Sequence, residues 1–202
     1  MLAETQLERP LDELLLASTS PYRAQLLARL GVPFESSPPD CDESPLPGET
    51  PAALVRRLSR QKAESLAPTA SQRFIIGSDQ VADLDGQALG KPGTAARARE
   101  QLSACSGRTV VFRTGLCLLD TAIAGQQIDV VDVHVRFRTL SAGDIARYVA
   151  IDAPLDCAGS IRSEGLGISL FDAMLSDDPT ALVGLPLIRL CQMLRSAGVE
   201  IP

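Results

Sequence analysis

The order of apolar and polar positions divides the 202-residue chain into short apolar runs, helically spaced stretches and breaks rich in Pro, Gly and Ser. Leu14 to Ala17 are apolar without interruption, the mark of a short buried strand. Ser20 stands where a helix N-cap belongs, and Pro21 fits the first helical position, where no backbone N–H is needed. The helix through AQLLARL stops at Gly31, and FESSPPDCDESPLPGETP then reads as a long loop, a kind of segment that often carries function. Thr50 and Pro51 open a second helix with an apolar face of Leu54, Val55, Leu58 and Leu66. Lys62 shares that face, so the periodicity draws it towards the interior or a cleft.

A buried strand over Phe74 to Ile76 runs into Gly77, Ser78 and Asp79, which places Asp79 just past the strand's end. Asp85-Gly86 make the turn of a hairpin. A helix from about Thr94 to a stop at Gly107 precedes the strand TVVFRTGLCLLD. In IDVVDVHVRFRTL, apolar Val131, Val133, Val135 and Phe137 alternate with Asp132, His134, Arg136 and Arg138, a half-exposed strand. Ser141 and Asp144 form a capping box for a helix around Ile145 to Val149. Pro186 opens a last helix with Leu187, Leu190, Cys191 and Leu194 turned inward. Strands alternating with helices, plus an antiparallel portion, give an α/β class with a mixed sheet.

Composition narrows the function. With 45% hydrophobic residues the chain has ample material for a core, as one large domain or two lobes. A net charge of -6 without a Lys/Arg block argues against a nucleic-acid partner and leaves a small phosphorylated molecule as the better fit. The five cysteines are scattered and never in C-x-x-C spacing, which speaks against a disulfide framework or structural zinc and for the reducing cytoplasm. No run approaches the ~20 apolar residues of a membrane span, and the N-terminus lacks a signal-peptide pattern. Residues 1–13 read as an N-terminal extension, with residues 14–202 as one domain.

Candidate chemistry gathers in a few places. Arg23 would sit in the first turn of its helix, where a cation is unfavourable unless an anion is bound in front of it. Asp79 has the place of a ligand-binding residue in an open α/β sheet, although an Asx-turn explains it about as well. Lys62 either serves a cleft or merely lays its stem along apolar surface. GQALGKP is not a phosphate-binding P-loop, since its glycine spacing is short and proline follows Lys91; Lys91 is then a phosphate contact or a solvated residue. Glu43, beside Asp40 and Asp42, offers oxygen to a divalent cation or is simply solvated. His134, the single histidine, reads as exposed, which makes a Ser-His-Asp or Cys-His hydrolase improbable. Gly159, Gly165 and Gly167 point to a loop needing positive φ or close approach, with Glu164 in its middle.

Taken together, ASTSPYR, PDCDE, RLSRQKA, IIGSDQV, LGKP, CAGSIRSEG and LVGLPL resemble the Maf family of nucleotide pyrophosphatases in order and approximate spacing, from Leu14 to Leu194. The resemblance implies an inosine triphosphatase-like twisted mixed sheet flanked by helices, two lobes and a central cleft. Gln80 after Asp79, and Ser163-Glu164-Gly165 in the late loop, are similar to the subfamily that hydrolyses 7-methyl-GTP to the monophosphate and pyrophosphate. By the same resemblance Asp79 is the proton acceptor, Ser18, Arg23, Lys62 and Lys91 contact phosphate, and Tyr22, Gln80 and Glu164 select the base. Glu43 and Asp79 are implied as ligands of a divalent cation (Mg, Mn or Co), and a homodimer is implied. Tyr22 stands where that subfamily is expected to have tryptophan. A dTTP/UTP pyrophosphatase and a non-catalytic regulator of septum formation are the alternative readings. The physics is compatible: a triphosphate at the STS loop would remove Arg23's penalty, and a ring made cationic by N7-methylation would stack on Tyr22 for about 0.5 to 2 kcal/mol.

Overall fold

Among the described residues, seven strands build one mixed sheet in the order β2-β1-β3-β5-β6-β7, with β4 paired to β3. The computed structural model describes residues 14–71 and 73–201, so the extension expected over residues 1–13 lies outside the described residues. The elements are β1 (Leu14–Ala17), α1 (Pro21–Ala28), β2 (Phe34–Ser37), α2 (Pro51–Leu66), β3 (Phe74–Leu84), β4 (Gln87–Leu89), α3 (Ala95–Cys105), β5 (Thr109–Asp120), β6 (Gly125–Phe137), α4 (Ala142–Asp152), β7 (Phe171–Leu175) and α5 (Leu187–Ser196). β1 pairs in parallel with both β2 and β3, whereas β3, β5, β6 and β7 are antiparallel neighbours. No helix among the described residues is long and apolar enough to cross a membrane.

Helix starts follow their local chemistry. Ser20, Thr50, Thr94 and Ser141 each accept a backbone N–H at a helix N-terminus, and Ser141 with Asp144 completes the capping box. The β3–β4 hairpin turns at Asp85 and Gly86, both at positive φ, as a tight two-residue turn requires. On β6, Val133, Val135 and Phe137 are buried while His134 and Arg136 are exposed, as the alternation predicts.

Several boundaries differ from the sequence reading. Asp79 does not stand past a strand's end: β3 runs on to Leu84, because its antiparallel ladder with β5 continues through Asp79↔Gly115 to Asp83↔Val111. It is β1 that stops, at Ala17 opposite Gly77, so Asp79 lies just beyond the end of the parallel neighbour. The opening of the long loop, FESS, is an edge strand, stabilised by pairing with β1 instead of by its own weak apolar pattern. β7, mostly exposed at the opposite edge, has no periodic signal in the sequence. On α5, Met193 is buried and Cys191 only half-buried, so Met193 takes the core position expected of Cys191.

The core falls into packed groups on both faces of the sheet. One group sets α3 and α4 against Phe112, Val133 and Val135; a second sets α1 and α5 against Leu14, Leu16, Phe74 and Ile76. α2 covers the other face, over Leu15, Ala17 and Ile75. β1 is therefore buried on both sides, with Leu14 and Leu16 in one group and Leu15 and Ala17 in another. A cleft opens between the first two groups.

Candidate active site

α2 lies almost flush on the sheet because two glycines permit it. A Cβ on Gly77 would come within 2.0 Å of the Ser59 carbonyl oxygen, and one on Gly115 within 2.1 Å of the Val55 carbonyl oxygen. These carbonyls are one helical turn apart on α2, and the next turn carries Lys62. Lys62 is 4% exposed, and its Nζ donates to Asp79 Oδ1 at 2.6 Å across the helix–sheet interface. The same ammonium lies 2.9 Å from Glu43 Oε1, on the loop after β2. Lys62 thus gathers two carboxylates from different elements, one oxygen of each.

Arg23 is placed with equal definition. Its Nε donates to the Gly184 carbonyl oxygen at 2.8 Å, and its Nη1 to Ser18 Oγ at 3.3 Å. The Gly184 oxygen also lies 2.9 Å from Ser78 Oγ, whose single hydroxyl proton is shared between it and the Gly115 carbonyl oxygen at 2.8 Å. Burial pushes the Arg23 guanidinium below its ordinary range, opposed by the charges of Asp79 and Glu43. For Glu43, burial works to raise the carboxyl, but the hydrogen bond and charge of Lys62, helped by Lys91 and Arg23, hold it below its ordinary value. Ser18 Oγ accepts from the Ser20 N–H and from Arg23, which leaves its own hydroxyl proton to donate elsewhere.

Ser18, Tyr22, Arg23, Glu43, Lys62, Gln80, Lys91 and Glu164 all line one cleft of about 380 Å³, and Asp79 joins it through Lys62. Of the site residues picked from the sequence, all but Asp79 line this cleft, and Asp79 lies one hydrogen bond behind it. Lys91 is held at the rim by backbone bonds that tie Gly90 and Gly93 to Gly159 and Leu155. Gln80 Nε2 is engaged by the carbonyl oxygens of Ala181 and Leu182, at 2.6 and 3.1 Å, and by Thr114 Oγ1, so the amide oxygen is the end left for a ligand. In the late glycine loop, Gly159 has positive φ and lies against Ala82, while Gly165 and Gly167 are crowded by Asp152 and Arg162 of their own neighbourhood. All five cysteines are free.

The cleft's charged groups sort by neighbour. Arg23, Lys62 and Lys91 act electrostatically on Glu43, with Asp79 adjacent. Tyr22 instead feels Cys157, Asp156 and Arg162, and Cys157 feels Asp156, Glu164 and Arg162. One end is cationic and lies at the N-terminus of α1; the other has an aromatic ring and two carboxylates. The sequence reading missed Ser78, Thr114, Asp156 and Gly184. Ser78 and Gly184 sit inside the motifs IIGSDQV and LVGLPL, but nothing in either motif alone reveals that Ser78 and Arg23 meet on the Gly184 carbonyl oxygen.

For a divalent cation, the donor set is suitable but sparse. Asp79 and Glu43 offer hard oxygen, and no cluster of three or more His, Cys, Asp or Glu able to hold a metal occurs among the described residues. A magnesium-like ion usually takes one or two protein carboxylates and completes its shell with water and substrate phosphates, and Asp79 and Glu43 are of that chemistry.

A family model described as "Maf-like protein" matches residues 13–197. A protein named 7-methyl-GTP pyrophosphatase from Pseudomonas syringae pv. tomato is 55% identical over 192 residues, covering 95% of this chain and 100% of that one. One of the same name from Pseudomonas putida is 56% identical over 189 residues, covering 94% and 98%. A solved HAM1 protein from Coxiella burnetii overlaps with a TM-score of 0.44 at 19% identity, over 62% of this chain and 72% of that one, too slight a likeness to build on.

Proposed function

The chain belongs to the Maf-like protein family, and from that premise we propose that it hydrolyses 7-methyl-GTP between the α and β phosphates, releasing 7-methyl-GMP and pyrophosphate. The observation that carries this reading is the division of the cleft, with fixed cations and a helix N-terminus at one end and Tyr22 with carboxylates at the other. A triphosphate and a purine need those opposite surroundings at one site.

In the proposed mechanism the triphosphate lies across the Ser18-Thr19-Ser20 loop, where the α1 N-terminus and the Ser18 hydroxyl donate to it. Arg23, pinned by Gly184 and Ser18, presents a fixed charge with little reorganisation. An ammonium has three donors, and two on Lys62 are engaged by Asp79 and Glu43, which leaves one for a phosphate oxygen. Lys91 meets the departing pyrophosphate at the rim. Asp79, held in one orientation by Lys62, accepts the proton of the attacking water. Asp79 and Glu43 would hold a divalent cation, which would supply Lewis acidity towards the phosphates and the water. The Gln80 amide oxygen and the Glu164 carboxylate accept from the N–H edge of guanine, and Tyr22 stacks on the ring. Free cysteines suit a reducing compartment such as the cytoplasm.

The test is a panel of 7-methyl-GTP, GTP, dTTP and UTP with magnesium or manganese, with products separated chromatographically. Preference for 7-methyl-GTP with release of pyrophosphate is expected. Preference for dTTP or UTP would overturn the base assignment.

A further inference from the structure

Methylation at N7 gives guanine a positive charge, and the base end of the cleft has an electrostatic character that bears on it. Two carboxylates line this end, Glu164 and Asp156. Arg162 is the cation that influences both Tyr22 and Cys157. Its charge is partly balanced: Nη2 donates to Asp152 Oδ1 at 2.6 Å, and Asp152 is side-chain buried to all but 10%. Asp152 thus offsets part of the Arg162 charge, which still acts on Tyr22 and Cys157. Asp156 has no such counter-ion. Its Oδ1 accepts only a weak bond from the Cys157 thiol, at 3.5 Å, and among the described residues it forms no ion pair. Burial first, then Cys157 and the Asp156 charge, keep the Tyr22 phenol above its ordinary range, against the opposing hydrogen bond and charge of Arg162.

We infer that Asp156 is a specificity-determining residue, whose uncompensated carboxylate beside Tyr22 favours a cationic purine over its neutral counterpart. The inference rests on the substrate reading above and adds a cause for the discrimination: Glu164 accepts hydrogen bonds that GTP and 7-methyl-GTP both offer, whereas charge is what separates them. Stacking on Tyr22 gains from the ring's charge, and Asp156 supplies the field that makes this charge count.

The test compares kcat/KM for 7-methyl-GTP and GTP in the wild type and in Asp156→Asn, at low and at high salt. Asp156 is exposed, so the amide should leave the fold intact, which a thermal melt checks. The expected result is a loss of about three- to ten-fold with 7-methyl-GTP and little change with GTP, the size of one partly screened charge acting on another. Wild-type preference should narrow as salt is added, and that of Asp156→Asn should respond less. An unchanged preference in Asp156→Asn, or an equal loss on both nucleotides, overturns the inference while the substrate reading stands. A wild type that does not prefer the methylated nucleotide contradicts the substrate reading, and the inference with it.

Discussion

At the scale of single residues, Lys62 decides the polar geometry, because one buried ammonium holds both Asp79 and Glu43. Lys62→Met would leave Asp79, 7% exposed, without its counter-charge, and breaking a buried pair costs about 3–5 kcal/mol. Urea melts should show that loss. The double variant Lys62→Met, Asp79→Asn should be more stable than Lys62→Met alone, because the stranded charge is gone. Activity should vanish in both. Lys62 was legible in the sequence because helical periodicity alone sets its direction. Arg23's partners were not: Gly184 lies 161 positions away, and no local pattern reveals that its carbonyl oxygen will be shared with Ser78. Tyr22 entered only through resemblance, since a half-buried ring has no periodic signature, and Glu164 stood out only as the carboxylate of a glycine-rich loop.

At the scale of elements, the cleft depends on α2 lying close to the sheet. Gly77→Ala or Gly115→Ala would drive a methyl into an α2 backbone carbonyl, and overpacking of this kind costs about 1–3 kcal/mol or more. Each variant should melt lower and lose activity out of proportion, since lifting α2 also withdraws Lys62 from Asp79. The segment carrying Glu43 is tied to α2 separately: Glu49 accepts from Arg57 Nε and Nη2, both at 2.7 Å, and Arg57 Nη2 also donates to the Ser44 carbonyl oxygen. Arg57 holds the Glu49 carboxyl down at about 2 against an ordinary 4.5. A folded-state value below the unfolded one means that ionised Glu49 favours the fold. Its contribution is complete above 4.5 and fades as pH falls to about 2. The urea midpoints of the wild type and Glu49→Gln should therefore differ at neutral pH and converge across that interval. Caps and hairpin turns were readable because their chemistry is local. β2 and the length of β3 were hidden because pairing with β1 and β5 creates them, against the poor strand preference of Gly77 and Asp79.

At the scale of the whole molecule, the site lies between two packed groups of helices on one sheet, and its opposite ends come from segments distant in sequence. In the proposed reading the N-terminus of α1 and α2's Lys62 serve the phosphates and the stretch from Asp156 to Glu164 serves the base, and all of these line the one cleft. A ligand spanning both should stabilise the folded chain, by about 2.7 kcal/mol at a hundred times its dissociation constant. A non-hydrolysable 7-methyl-GTP analogue should raise the melting temperature, and Lys91→Ala should reduce that rise with little effect on the unliganded protein, because Lys91 is exposed at the rim. The class of fold was visible from alternating elements, but the cleft was anticipated only through resemblance, since it exists only where the two packed groups meet. The most direct measurement is the identity and rate of products from 7-methyl-GTP with the wild type and Asp79→Asn. The account predicts 7-methyl-GMP and pyrophosphate in equal amounts, with the rate reduced about 10²- to 10⁴-fold in the variant. Release of 7-methyl-GDP with orthophosphate, or an Asp79→Asn enzyme as fast as the wild type, would contradict it.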